Sequence, residues 1–91
     1  MASFKIEWKK SAEGDLLKLD RQVIKRIIES IDFLSGDPFP KKNKKLRGST
    51  SSYRMRIGDY RIIYQVDTDK KVVTIFYIRH RKDAYRKGRT L

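Results

Sequence analysis

From Ser3 to Trp8 apolar and charged residues alternate, with Phe4, Ile6 and Trp8 set against Lys5 and Glu7. A period of two predicts a half-buried strand. Beyond it the period lengthens. Ala12, Leu16 and Leu19 recur at helical spacing, with Ser11 placed to cap the helix and Glu13 and Asp15 in its first turn, at the positive end of the helix dipole. Gly14 lowers the propensity of that helix. Asp20 heads a second, longer one, in which Val23, Ile24, Ile27, Ile28, Ile31 and Leu34 make one apolar stripe. Arg21, Lys25, Arg26 and Glu29 fall on its other side. Ser35-Gly36-Asp37-Pro38 ends the helix, because glycine offers a left-handed turn and proline forbids continuation.

Next comes a basic connector with little to bury: Lys41, Lys42, Lys44, Lys45 and Arg47, extended by Ser49 to Ser52. Tyr53 to Ile57 reads as a second strand, and Gly58-Asp59 has the length and chemistry of a two-residue hairpin turn. Tyr60 to Val66 reads as the third strand. After a turn at Asp67 to Lys70, the β-branched run from Val72 to Ile78 or slightly beyond is the fourth. This order predicts an α+β fold, β-α-α-β-β-β, with two N-terminal helices packed on one face of a mostly antiparallel four-stranded sheet. The chain is expected to be one domain over residues 1–91, with residues 86–91 a frayed tail.

Charge changes the picture more than any other bulk property. Lys and Arg number 23 against 11 Asp and Glu, a net +12, so the natural partners are polyanions, nucleic acid first. There is no cysteine and one histidine, His80, which removes disulfide frameworks and thiolate chemistry and leaves no protein-built metal centre or cofactor site to expect. No run of apolar residues is long enough to span a bilayer, and the charged N-terminus does not resemble a signal peptide. A cytoplasmic protein with no membrane partner is expected.

A two-residue loop at Gly58-Asp59 pairs Ile57 with Tyr60 and sets Arg56 opposite Arg61, Met55 opposite Ile62 and Arg54 opposite Ile63. Arg54, Arg56 and Arg61 then share one face, while Tyr53, Met55, Ile57, Tyr60, Ile62 and Tyr64 occupy the other. Each arginine alone reads as a solvated surface residue. Three together, with like charges directly opposed, read as an anion site, since the arginine fork grips a phosphodiester through paired hydrogen bonds. A second constellation, Arg79-His80-Arg81-Lys82 with Tyr85 beyond, closes the last strand. A turn of two or four residues before that strand puts His80 on the face of Arg61; a turn of three puts Arg79 and Arg81 there. The connector lysines and Arg47 would add a salt-dependent attraction to a nucleic-acid backbone.

Lys45-Leu46-Arg47-Gly48, the run from Tyr53 to Tyr64, and His80-Arg81-Lys82-Asp83-Ala84-Tyr85 together resemble the RelE/ParE superfamily of toxins, and the element order is similar as well. The resemblance implies a small basic toxin of a type II toxin-antitoxin system. In its RelE-like branch such a toxin is neutralised by a cognate antitoxin and acts as a metal-independent endoribonuclease. It enters the ribosomal A site, beside ribosomal RNA, and cuts mRNA by 2′-hydroxyl attack to leave a 2′,3′-cyclic phosphate. Carried over position by position, the implied catalytic residues are Arg54, Arg56, Arg61, Arg81 and Tyr85. Arg61 and Arg81 would face the phosphorane's charge, and Tyr85 would orient a base. By their charge, and not by the resemblance, Lys41, Lys42, Lys44, Lys45 and Arg47 are expected to bind RNA. RelE has lysines where this chain has Arg54 and Arg56; arginine does not readily give up its proton, so the resemblance leaves His80 as the expected general base. A ParE-like inhibitor of DNA gyrase and a non-catalytic RNA-binding module are the alternatives.

Overall fold

The computed structural model describes residues 3–40, 43–46, 48 and 51–82. In chain order the elements are β1 (Lys5–Trp8), α1 (Lys10–Leu17), α2 (Arg21–Asp32), a 3-10 turn (Phe33–Ser35), β2 (Lys44–Lys45), β3 (Ser52–Ile57), β4 (Tyr60–Asp67) and β5 (Val72–His80). They form one sheet in the order β1-β5-β4-β3-β2. β1 runs parallel to β5, and the other pairings are antiparallel.

The sheet has five strands, not four. The extra strand comes from the basic connector, whose Lys44 pairs with Arg54 and Lys45 with Tyr53. Both lysines are exposed, so no apolar alternation betrays the strand. What holds this strand lies just before it in the chain. The Tyr64 hydroxyl donates to the Pro38 carbonyl at 3.0 Å and accepts from Asn43 Nδ2 at 2.8 Å. The Tyr64 ring stacks on Tyr53 at 5.7 Å, and Tyr53 meets Phe39 edge-on at 5.3 Å. Burial pushes the Tyr64 phenol above its ordinary value of 10, against the opposing pull of the Asn43 hydrogen bond.

Helix ends depart from the sequence-based expectation in three places. The N-cap position of α1 is Lys9, and Ser11 lies inside the first turn, where its hydroxyl donates to the Phe76 carbonyl at 2.6 Å. Asp20 does stand at the N-cap of α2, but its side chain makes no capping bond. Gly36 has φ −95°, outside the left-handed region, because the 3-10 turn already leads the chain away. The hairpin turn is where glycine is needed: Gly58 has φ +57°.

The core lies between the helices and one face of the sheet. Ala12 and Leu16 of α1, Ile27 and Ile31 of α2 and Leu34 of the 3-10 turn pack with Met55, Ile62, Tyr64, Val66, Val73, Ile75 and Ile78. Each large aliphatic side chain buried there contributes about 1.5–3 kcal/mol, enough together to hold the sheet register. The opposite face is left without a helical layer among the described residues, and it carries the arginines.

Candidate functional site

The hairpin follows from its two-residue turn. Ile57 pairs with Tyr60, Arg56 with Arg61, Met55 with Ile62 and Arg54 with Ile63. Met55 and Ile62 are buried, which commits Arg54, Arg56 and Arg61 to the other face. Lys44 stands directly opposite Arg54 and so joins the same face from β2. Among the described residues the side chains of these arginines make one hydrogen bond, a long one of 3.5 Å from Arg56 Nε to the Gly58 carbonyl. Among the described residues no carboxylate pairs with Arg54, Arg56 or Arg61.

The far side of β4 was open in the sequence. Asp67 pairs with Val72, so the turn holds four residues, Thr68 to Lys71, the case expected to bring His80 to Arg61. A bulge reverses that outcome. The register shifts between Ile63 and Tyr64, since Tyr64 faces Ile75 but Ile63 faces Tyr77 and Phe76 is the extra residue. One added residue exchanges the two faces for everything beyond it. Arg79 therefore lies opposite Arg61, and His80 opposite Tyr60. Arg56, Arg61 and Arg79 make a row across three adjacent strands.

His80 is on the core face, with its ring 5.0 Å from Tyr60, edge to face. Its Nδ1 accepts the backbone N–H of Lys82 at 3.0 Å, the geometry of an N-cap for the helical turn that begins at Arg81. That places the expected general base on the reverse side of the strand from the arginine row. Arg81 is exposed, and its backbone N–H donates to the Asp59 carbonyl at 2.7 Å, which ties this turn to the tip of the hairpin. Tyr85, Lys41, Lys42 and Arg47 lie outside the described residues.

Asp15 lies beyond the first turn of α1, where Glu13 is the acidic residue, and its carboxylate reaches the last strand instead. Its Oδ2 accepts from the Ile78 backbone N–H at 3.0 Å and from Arg79 Nη1 at 2.8 Å, closing the edge of β5 where β1 has ended. The Arg79 guanidinium also sits 4.5 Å over the Tyr77 ring. Nothing in the local sequence announces this bridge, because its partners are 64 residues apart.

Chemically the arginine face suits a compact anion with several oxygens. Directly opposed guanidinium groups repel one another, and a phosphodiester between them turns that repulsion into paired, charge-assisted hydrogen bonds.

The helix pair on one side of the sheet is the fold of a family of small toxins. The archaeal RelE of the RelE-RelB complex from Pyrococcus horikoshii superposes with a TM-score of 0.79 at 31% identity, over 87% of this chain and 96% of that one. The RelBE2 toxin-antitoxin complex from Mycobacterium tuberculosis matches with a TM-score of 0.77 at 28% identity, over 89% and 94%. In sequence, a protein of Methanocaldococcus jannaschii that bears the name toxin RelE1 is 36% identical over 86 residues, covering 91% of this chain and 96% of that protein. Residues 6–85 match the family of ParE toxins of type II toxin-antitoxin systems, and the chain belongs to that family, within the RelE/ParE superfamily.

Proposed function

We propose that this toxin is a metal-independent endoribonuclease that enters the ribosomal A site and cuts mRNA there. The observation that carries the reading is the Arg56–Arg61 pair, directly opposed on neighbouring strands with Arg54 and Lys44 on the same face and no carboxylate among the described residues to neutralise it. In the reaction the ribose 2′-oxygen forms a bond to phosphorus as the bond from phosphorus to the 5′-oxygen breaks. The 2′-proton passes to water, the leaving 5′-oxygen takes a proton from water, and the products are a 2′,3′-cyclic phosphate and a 5′-hydroxyl. Arg54, Arg56 and Arg61 hold the phosphate and stabilise the phosphorane's added charge. Arg81, anchored at the hairpin tip, serves the leaving oxygen, and Tyr85 orients a base. With no lysine on β3 and His80 turned to the other face, rate enhancement rests on orientation and charge.

Its setting is the cytoplasm, with the ribosome and mRNA as targets and a cognate antitoxin as regulator. Support for the last is that the matching Pyrococcus structure is a RelE-RelB complex and the matching Mycobacterium structure a toxin-antitoxin complex. This chain also exposes Leu17 and Phe33 to 78% and 79% on its helical side, a surface an amphipathic antitoxin helix would cover. The family's description as ParE favours a second reading, inhibition of DNA gyrase by the same fold. Mapping message 5′ ends after induction, with and without ribosome engagement, separates the two. New 5′ ends within codons of translated messages, lost in Arg61→Ala, are expected. Intact messages with altered DNA supercoiling would overturn the nuclease reading.

A further inference from the structure

Arg79 is a further cation on the face of Arg56 and Arg61, tied to α1 through Asp15 yet with part of its guanidinium free. The bulge at Phe76 turns it to the side of Arg61 and Arg56, one strand further along the same row. Its side chain is 41% exposed. Nη1 is fully engaged, donating to Asp15 Oδ2 at 2.8 Å and to the Ile78 carbonyl at 3.1 Å, and the guanidinium carbon lies over the Tyr77 ring, 4.5 Å from its centroid. Nε and Nη2 donate to nothing among the described residues. Those two nitrogens form one edge of the guanidinium fork, the edge that meets two oxygens of a phosphate in parallel. A carboxylate on one edge and an aromatic ring beneath hold the other edge open and aimed, so little rotamer entropy remains to be lost on binding.

We propose that Arg79 is a second phosphate clamp, which binds a phosphodiester of the same single-stranded RNA next to the one held by Arg56 and Arg61. Adjacent strands are about 4.8 Å apart, so the row from Arg56 to Arg79 spans roughly 10 Å, room for more than one phosphate group. Asp15 is the positioning residue for the clamp. The inference rests on the nuclease reading and extends it from one phosphate to two.

The test is binding of a 2′-O-methyl RNA 12-mer, which lacks the attacking hydroxyl, to the full chain by fluorescence anisotropy across a salt series. Arg79→Gln is expected to weaken binding about tenfold at low salt, as loss of a charge-assisted pair does, and to reduce the slope of log K against log salt by about 0.7, one phosphate's worth. Arg61→Gln is the comparison. A lower slope for Arg61→Gln with no change for Arg79→Gln overturns the clamp and leaves the nuclease reading standing. No change for either overturns both. Arg79→Lys keeps the charge and the Asp15 contact but not the fork, so it decides the matter should the glutamine variant fold poorly. Several-fold weaker binding at an unchanged slope is expected of it, and wild-type affinity sinks the proposal.

Discussion

Replacing Arg61 by glutamine should make the protein more stable while removing its toxicity. Arg61 is the centre of the row, with Arg56 opposite on β3 and Arg79 opposite on β5. Two unit charges about 6 Å apart repel by roughly 0.7 kcal/mol at the dielectric of water, within the 0.2–1 kcal/mol range of cross-strand pairs. The two neighbours do not count equally. The Asp15 carboxylate, 2.8 Å from Arg79, offsets part of that cation's field at Arg61, so the Arg56 pair dominates and relief of about 0.5–1 kcal/mol is expected. Glutamine retains part of the aliphatic stem, so lost packing takes little back. In a domain of this size the gain raises Tm by about 2–8 °C in low-salt thermal melts. At 1 M salt the Debye length falls to about 3 Å and the gain should vanish. Arg21→Gln, on the exposed outer side of α2, controls for the change in net charge. A lower Tm for Arg61→Gln, or an increase that survives 1 M salt, would refute the repulsion argument and with it the case for an anion-shaped cradle.

Ile27 is fully buried against the sheet, so Ile27→Ala should cost about 2–5 kcal/mol, read as a lower urea midpoint at unchanged m-value. Tyr64→Phe leaves the Pro38 carbonyl without its donor and Asn43 Nδ2 without its acceptor, a loss of about 1–3 kcal/mol in chemical denaturation. Because the folded phenol titrates above its unfolded value of 10, its contribution is complete below pH 10 and is lost as pH rises through the raised folded value. Wild type should therefore lose stability above pH 10 more steeply than Tyr64→Phe. For His80, Ala removes the acceptor for the Lys82 N–H and Asn supplies one. Faster amide exchange at Lys82 is expected in His80→Ala, by about 0.5–2 kcal/mol of local stability, with recovery in His80→Asn; equal exchange in both would argue against the cap.

Much of the architecture was written in local patterns. The stripe from Val23 to Leu34, the alternation before Trp8 and the Gly58-Asp59 turn each depend on residues a few places apart, and a two-residue loop leaves only one pairing between Arg56 and Arg61. β2 escaped notice because its two lysines bury nothing and are held in place by the Tyr64 network around Pro38 and Asn43.

What the amino-acid order determined by itself, then, was the fold class, the hairpin register and the gathering of Arg54, Arg56 and Arg61, all consequences of short-range periodicity and one tight turn. What only the tertiary structure decided was which side the end of β5 presents. A single unpaired residue at Phe76 exchanged Arg79 for His80 on the arginine face, and Asp15, 64 residues away, then fixed where that arginine points. Such a bulge depends on how strands pack across the sheet and against the helices. A side-chain period of two carries no memory of an added residue until the strands are paired.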